Sequence, residues 1–136
     1  MNKIRMIALA ACMAATLDAS AQEQEIRLFS HRGGRMEHDE NTLSAFQASY
    51  DAGYRGFETD IRMTRDGALV ITHDSSLERT TDGTGTVEEK TEAEIRRLRT
   101  KQGNKVLFLD ELLEFLEGKE GLYVEFEMKT KPVELY

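Results

Sequence analysis

Apolar residues follow two different patterns along the chain, and the two patterns alternate. Four segments combine β-compatible bulk with strict alternation or with a continuous apolar run, which predicts strands. They are residues 25–31, 54–63, 68–73 and 122–129. Between them, apolar residues recur three and four positions apart, which predicts helices. This alternation predicts an α/β fold with a parallel sheet, and the run at 68–73 is typical of a buried parallel strand.

Capping and breaking residues mark the ends of three predicted helices. Asn41 or Thr42 can cap the first helix, which ends at Gly53. Residues 91–94 form a capping box that opens the second, and the third ends before Gly118. Helical spacing places Leu43, Phe46, Gln47 and Tyr50 on one face of the first helix. On the second helix Ile95 and Leu98 are predicted to face inward, and the third helix carries Leu109, Leu112, Leu113 and Leu116.

The number of strands fits two architectures. Three or four strands can form a small open sheet, and they are also what the first half of a (β/α)8 barrel of about 250 residues would contain. Residues 74–90 interrupt the alternation, and their turn signals predict an excursion from the sheet. The pattern alone leaves the choice between the two architectures open.

Composition narrows the functional class. The chain has 136 residues, a net charge of −7, 40% hydrophobic and 32% charged residues, as expected of one globular domain. One cysteine and one proline exclude disulfide-rich and collagen-like chains. No apolar run reaches the roughly 18 residues of a membrane span, so we expect no permanent crossing. The acidic balance gives no support for a nucleic-acid partner.

The first residues resemble an export signal. Two cations precede an apolar stretch at 6–17, and Ala19-Ser20-Ala21 follows as a cleavage pattern, so residues 1–21 are predicted to be a secretory signal peptide. Removal leaves 16 Lys and Arg against 24 Asp and Glu, a net charge of −8, and no cysteine. We expect a periplasmic or secreted protein. The alternative is a lipoprotein anchored through Cys12, because Leu9-Ala10-Ala11-Cys12 resembles a lipoprotein processing box.

Ionisable residues gather at the carboxyl ends of the predicted strands. In a parallel α/β fold these ends share one edge of the sheet, where active sites are built. The residues concerned are His31, Glu58 with Asp60, His73 with Asp74, and Glu127 with Lys129. Two of these pairs are spaced by two positions on a strand, so both of their side chains point the same way.

These residue types together describe phosphoryl-ester hydrolysis. Converging carboxylates from two strands suit a hard cation such as Ca²⁺ or Mg²⁺. Two histidines can exchange protons near neutral pH, and Arg32 and Lys129 can neutralise a phosphate oxyanion. Each element also has a simpler structural explanation. Glu58 and Asp60 can be salt-bridge partners, residues 73–74 a turn, residues 127 and 129 an ion pair, and His38 a solvent-facing loop residue.

A series of short segments between about His31 and Lys129 carries a resemblance to a known family. They are His31-Arg32-Gly33, Glu40-Asn41-Thr42 with Ala45-Phe46, Gly56-Phe57-Glu58-Thr59-Asp60, Thr64-Arg65-Asp66-Gly67, His73-Asp74, Leu77-Glu78-Arg79-Thr80-Thr81, Gly85-Thr86-Val87 and Glu127-Met128-Lys129. In these segments the chain resembles the glycerophosphodiester phosphodiesterases, which are metal-dependent (β/α)8-barrel hydrolases.

The resemblance implies a role for each site residue. It implies that Glu58, Asp60 and Glu127 hold the cation, that His31 and His73 are the general base and acid, and that Arg32 and Lys129 bind the phosphate. It also implies that residues 74 to about 105 form a small subdomain over the site. The expected substrates are deacylated phospholipids, cleaved to glycerol 3-phosphate and an alcohol. The attacking group, either the neighbouring glycerol hydroxyl through a cyclic phosphate or water, stays open.

Two departures from the family pattern bear on this interpretation. Asp39 stands where the family usually has proline, which puts the geometry of that loop in question. The sequence also stops at Tyr136, just after the fourth predicted strand. We therefore expect the N-terminal half of a longer barrel, a fragment that is inactive alone. Two alternatives remain: a phospholipase D-like relative acting on intact lipid, and a truncated, non-catalytic chain that binds a cation, a phosphate or a partner.

Overall fold

The computed structural model describes residues 26–130, and the predicted signal peptide with Cys12 lies outside the described residues. A four-stranded sheet, three α-helices and a short 3-10 helix at Val87–Glu89 make up this part of the chain. In chain order the strands and α-helices are β1 (Phe29–His31), α1 (Leu43–Asp51), β2 (Gly56–Met63), β3 (Leu69–Ile71), α2 (Glu92–Ile95), α3 (Leu109–Leu116) and β4 (Tyr123–Met128). None of these helices has the length and apolar character needed to cross a bilayer.

Strand β2 is the centre of the sheet. Strand β1 pairs with its first half in parallel, with His31 opposite Glu58. Strand β4 pairs in parallel along most of β2, from Gly56 opposite Tyr123 to Ile61 opposite Met128. Because both strands pair with the same first residues of β2, they must lie on its two different edges. The predicted parallel α/β arrangement is confirmed for these three strands.

The prediction that residues 68–73 form a parallel strand is wrong. Strand β3 is antiparallel to β2, with Ile71 opposite Ile61. The reason is the short connection, since a parallel crossover needs a dozen or more residues. Here Thr64 closes a tight turn: its backbone N–H donates to the carbonyl of Ala68 at 2.8 Å, and its Oγ1 accepts from the N–H of Ala68 at 2.8 Å.

Helix α1 is rotated relative to its predicted orientation. Thr42 is the N-cap and accepts from the N–H of Ala45 at 3.3 Å. The buried residues are Ala45, Phe46 and Ser49, whereas Leu43 is exposed. The loop before the helix explains the rotation, because Gly33 (φ +75°) packs so closely that an added Cβ would lie 2.9 Å from the Cβ of Ala45.

Two apolar clusters form the interior of the described residues. The larger lies between the sheet and helices α1 and α3, and consists of Phe46, Phe57, Ile61, Ile71, Leu107 and Leu112. The smaller consists of Val70, Leu77, Val87, Ile95, Val106 and Phe108. The predicted excursion after β3 is therefore a packed unit with its own core. Its helix α2 begins with the predicted capping box of Thr91 and Glu94.

Candidate active site

Parallel register brings three carboxylates together at one end of the sheet. Asp60 on β2 lies opposite Glu127 on β4, and Glu58 precedes Asp60 on the same face of β2. One oxygen atom from each of these residues lies within 4.8 Å of the others. This separation is about twice a Ca²⁺–oxygen distance of roughly 2.3–2.6 Å, so a divalent cation can sit between the three oxygens.

Asp60 is the buried member of this carboxylate cluster. Its side chain is completely buried, and its Oδ2 accepts from Nδ2 of Asn41 at 3.2 Å and lies 3.2 Å from Nε of Arg32. Its Oδ1 is 3.3 Å from Nζ of Lys129 but makes no hydrogen bond to any described residue. A buried carboxylate oxygen without a hydrogen bond is costly. The arrangement therefore fits a ligand atom for a cation.

Glu58 and Glu127 respond to their surroundings in opposite directions. Burial, followed by the negative charge of Asp60, raises the pKa of Glu58 above its ordinary value. Nζ of Lys129 donates to Glu127 at 2.7 Å and lowers the pKa of that carboxyl. Crowded carboxylates raise each other's pKa, and a cation between them removes that penalty. The electrostatics of Glu58 therefore also fit a cation site.

His73 reaches this end of the sheet because β2 extends beyond β1. The antiparallel β3 runs back along that extension, and the N–H of Thr72 donates to the carbonyl of Asp60 at 3.0 Å. From the same face of β2, Nε of Arg62 donates to the carbonyl of His73 at 2.8 Å. When its imidazole is protonated, His73 is also near enough to lower the pKa of Glu127.

The imidazole of His73 is held by its neighbour. Nδ1 lies 2.6 Å from Oδ1 of Asp74. The hydrogen bond from Arg79, together with that from His73, lowers the pKa of Asp74 to about 2, so this carboxylate is ionised at neutral pH. An ionised carboxylate only accepts hydrogen bonds. The proton therefore sits on Nδ1, and Nε2 is left to exchange a proton with a substrate.

His31 is the last residue of β1, and Arg32 follows it directly. Nε2 of His31 lies 3.5 Å from Oε2 of Glu58, and half of the side chain is exposed. Arg32 adopts a left-handed backbone (φ +54°), and its N–H donates to the carbonyl of Glu58 at 2.9 Å. This unusual conformation turns the chain at the site and places the buried guanidinium beside Asp60.

The structure gives roles to residues that the sequence reasoning did not single out for the site. Asn41, also left-handed (φ +57°), accepts from Oγ1 of Thr59 at 3.0 Å and orients Asp60 through its amide. Glu40 accepts from Nη1 of Arg32 at 3.2 Å. Both residues belong to the segment Glu40-Asn41-Thr42 that matches the family. That match was the available signal, because loop residues show no periodicity.

Asp39, the departure from the family pattern, anchors its loop by hydrogen bonds. Its carboxylate accepts from Oγ1 of Thr100 and from Nδ2 of Asn104, the latter at 2.8 Å. Its carbonyl accepts from Oγ1 of Thr42 at 2.7 Å. The turn at 100–104 therefore stabilises the loop between β1 and α1.

The structure brings together every residue predicted for the site. The carboxylates, both histidines and both phosphate-binding candidates lie at the same end of the sheet. They are His31, Arg32, Glu58, Asp60, His73, Glu127 and Lys129. His38 is an exposed loop residue, as predicted.

A first prediction concerns Asp74. Its folded-state pKa of about 2 lies below the ordinary 3.8, so its stabilising contribution is complete above about pH 4 and is lost as the pH falls towards 2. We expect Asp74→Asn to lower the free energy of unfolding by roughly 1 kcal/mol at pH 7, since the pair is partly solvated, and by almost nothing near pH 2. Urea unfolding at pH 7, 4 and 2.5 measures this difference. Asp51→Asn, at the exposed end of α1, is the control, and a deficit for Asp74→Asn that does not change with pH would contradict the assignment.

Comparisons with known proteins identify the family of this chain. The sequence profile of the Glycerophosphoryl diester phosphodiesterase family matches residues 31–134. A glycerophosphodiester phosphodiesterase of Caldanaerobacter subterraneus subsp. tengcongensis is 34% identical over 110 residues, which cover 76% of this chain and 45% of that protein. The chain thus spans about half the length of the curated relatives it matches.

Solved structures are similar in fold. A glycerophosphoryl diester phosphodiesterase from Parabacteroides distasonis superposes with a TM-score of 0.70 and 33% identity, covering 82% of this chain and 41% of that one. An Oleispira antarctica phosphodiesterase, solved in complex with the product sn-glycerol-3-phosphate, gives a TM-score of 0.71 and 30% identity over 76% of this chain and 44% of its own. These neighbours are (β/α)8 barrels, and the present sheet corresponds to part of such a barrel. The chain belongs to the glycerophosphoryl diester phosphodiesterase family.

Proposed function

We propose that this chain carries the catalytic centre of a metal-dependent hydrolase of phospholipid breakdown, which cleaves glycerophosphodiesters to glycerol 3-phosphate and an alcohol. The observation that carries the proposal is the carboxylate cluster of Glu58, Asp60 and Glu127, in which the buried Oδ1 of Asp60 has no hydrogen bond from the described residues. The likeness to a phosphodiesterase solved with sn-glycerol-3-phosphate supports the choice of substrate.

In this proposal the carboxylate cluster holds a divalent cation, Ca²⁺ or Mg²⁺. When bound, the cation supplies positive charge that polarises a phosphoryl oxygen. Arg32 and Lys129 contribute positive charge from the protein, because both lie against Asp60, at 3.2 and 3.3 Å. Together these groups favour an anionic phosphodiester at this end of the sheet.

The two histidines move protons on opposite sides of the phosphodiester. One takes a proton from the attacking oxygen, which belongs either to water or to the neighbouring glycerol hydroxyl, and the other gives a proton to the leaving alcohol. After attack by the hydroxyl, water opens the cyclic phosphate in a second step to give glycerol 3-phosphate. His73 is built for either role, because its Nδ1–H is committed to Asp74 and its Nε2 exchanges the proton. His31 keeps its half-exposed ring beside Glu58. The packed unit at 74–105 borders the site through Asp74, and we propose that it forms one wall of the substrate site.

The test of the function uses the product of the complete reading frame that contains this sequence. We expect release of glycerol 3-phosphate from a water-soluble glycerophosphodiester, its loss on adding a chelator, and its return with Ca²⁺ or Mg²⁺. The release is measured with a coupled assay for glycerol 3-phosphate. Asp60→Asn is expected to lose this cation-dependent release, whereas Glu114→Gln on the exposed side of α3 keeps it.

Three other outcomes separate the alternatives. Undiminished release in the presence of chelator would contradict the cation site. Release from vesicles of intact phospholipid, with none from the soluble diester, would favour the phospholipase D-like alternative. Cation binding by calorimetry without any hydrolysis would favour a non-catalytic chain. We also propose that the protein is exported. Cleavage of the predicted signal peptide would leave Gln22 as the first residue of the exported protein.

A further inference from the structure

We propose that Arg79 is a positioning residue that orients both His73 and Arg32. It does so through two ion pairs, one with Asp74 and one with Glu40. The inference rests on the proposed function, because that function assigns His73 and Arg32 to proton transfer and phosphate binding. It explains why Arg79 stands in the matched segment Leu77–Thr81, although it contacts none of the three carboxylates of the cluster.

The guanidinium of Arg79 uses two of its edges. Nη1 and Nη2 donate to Oε2 and Oε1 of Glu40 at 2.9 and 2.7 Å, a bidentate pair. Nε donates to Oδ2 of Asp74. Two carboxylates from different loops are thus held in the plane of one side chain. The planar, multi-donor geometry of arginine makes this arrangement, and the single point charge of lysine does not reproduce it.

Each of the two carboxylates, Asp74 and Glu40, also binds a residue of the site and so fixes its orientation. Asp74 gives one oxygen to Arg79 and the other to Nδ1 of His73 at 2.6 Å. Glu40 accepts from Arg79 and, at 3.2 Å, from Nη1 of Arg32. Because Arg32 in turn lies beside Asp60, a continuous series of alternating charges runs from Asp74, the partner of His73, to the buried carboxylate of Asp60.

The backbone that presents Arg79 is itself rigid. Leu77 is buried in the smaller core, and its carbonyl accepts from both the N–H and Oγ1 of Thr81, at 2.9 and 2.7 Å. The side chain of Arg79 is 48% exposed, so each of its ion pairs contributes at most about 1 kcal/mol to stability. A rigid turn that presents a solvated but fully engaged guanidinium fits orientation of the site better than stabilisation of the fold.

The structural readout is the tautomer of His73, which needs no activity. The chain is labelled with ¹⁵N-histidine, and the two ring nitrogens are observed by NMR at a pH where the imidazole is neutral. A His73→Gln sample assigns the signals. We expect wild-type His73 to carry its proton on Nδ1, and Arg79→Gln and Arg79→Lys to show the mixed tautomers of a solvated imidazole. Arg97→Gln and Arg97→Lys, at an exposed arginine of the same unit, are the controls.

The kinetic readout uses the product of the complete reading frame. We expect both Arg79 variants to lower kcat about tenfold with KM changed less than about threefold, because a misplaced proton-transfer group affects the transition state more than binding, and Arg32 keeps its contact with Asp60. A His73 tautomer unchanged in both variants, or full recovery by Arg79→Lys, would overturn the positioning role. If the wild-type product releases no glycerol 3-phosphate, the proposed function fails, and the tautomer comparison alone decides the role of Arg79.

Discussion

Replacement of His73 by glutamine is expected to lower the rate of glycerol 3-phosphate release by about 10²–10⁴-fold, the usual contribution of a general acid or base. Glutamine keeps a hydrogen-bond donor for Asp74 but cannot exchange a proton. The glutamine amide can therefore replace the hydrogen bond that Nδ1 of His73 makes to Asp74 at 2.6 Å. It cannot replace the proton exchange at Nε2. Steady-state kinetics on the product of the complete reading frame measure the effect, which should fall on kcat.

Two companion variants sharpen this experiment. His38→Gln removes an exposed histidine from the loop after β1 and should leave the rate unchanged. Glu58→Gln keeps the shape of a cluster carboxylate but removes its charge, and we expect it to lose cation-dependent activity. Full activity in both His73→Gln and Glu58→Gln would contradict the proposal that the reaction takes place at this site.

Replacement of Phe57 by alanine is expected to lower the free energy of unfolding by about 3–5 kcal/mol, the usual cost of deleting a buried aromatic ring. Phe57 is fully buried on β2, and its ring centroid lies 5.5 Å from that of Phe46 on α1. The ring thus joins the central strand to the first helix. For a domain with a stability of about 5–15 kcal/mol, such a loss is a large share.

The matched control for this variant lies on the neighbouring strand. Phe126 on β4 is 38% exposed, so Phe126→Ala removes the same atoms from a partly solvated place. We expect it to cost less than half as much, because less apolar area leaves the protein interior. Urea unfolding of both variants gives the comparison. Equal losses at the two positions would contradict the position of Phe57 in the core.

The local parts of the fold could be predicted from the sequence. The alternation along β2 identified its two faces, the Thr91–Glu94 capping box marked the start of α2, and the strand at 122–129 was recognised in full. Each of these rests on residues within a few positions of one another. The inward face of α1 was misassigned because close packing of Gly33 on Ala45 and Phe46, not periodicity, sets its rotation.

The direction of β3 shows where the pattern misled. A continuous apolar run indicates burial on both sides but says nothing about strand direction. The length of the turn at residues 64–68 does predict the strand direction, since so short a connection permits only an antiparallel hairpin. His73 nevertheless reaches the site, because β3 pairs with the part of β2 that extends past β1.

The sequence by itself predicted which ionisable side chains gather at one end of the sheet, because residue type, spacing and the matched segments are properties of short stretches of chain. Only the tertiary structure decided how these residues meet. It sets the register of Asp60 opposite Glu127, the hydrogen bond from Asn41 to Asp60, and the ion pair of Arg79 with Glu40. Those contacts join residues that are distant in the chain. Strand register and loop packing set them, and both depend on burying the core as a whole.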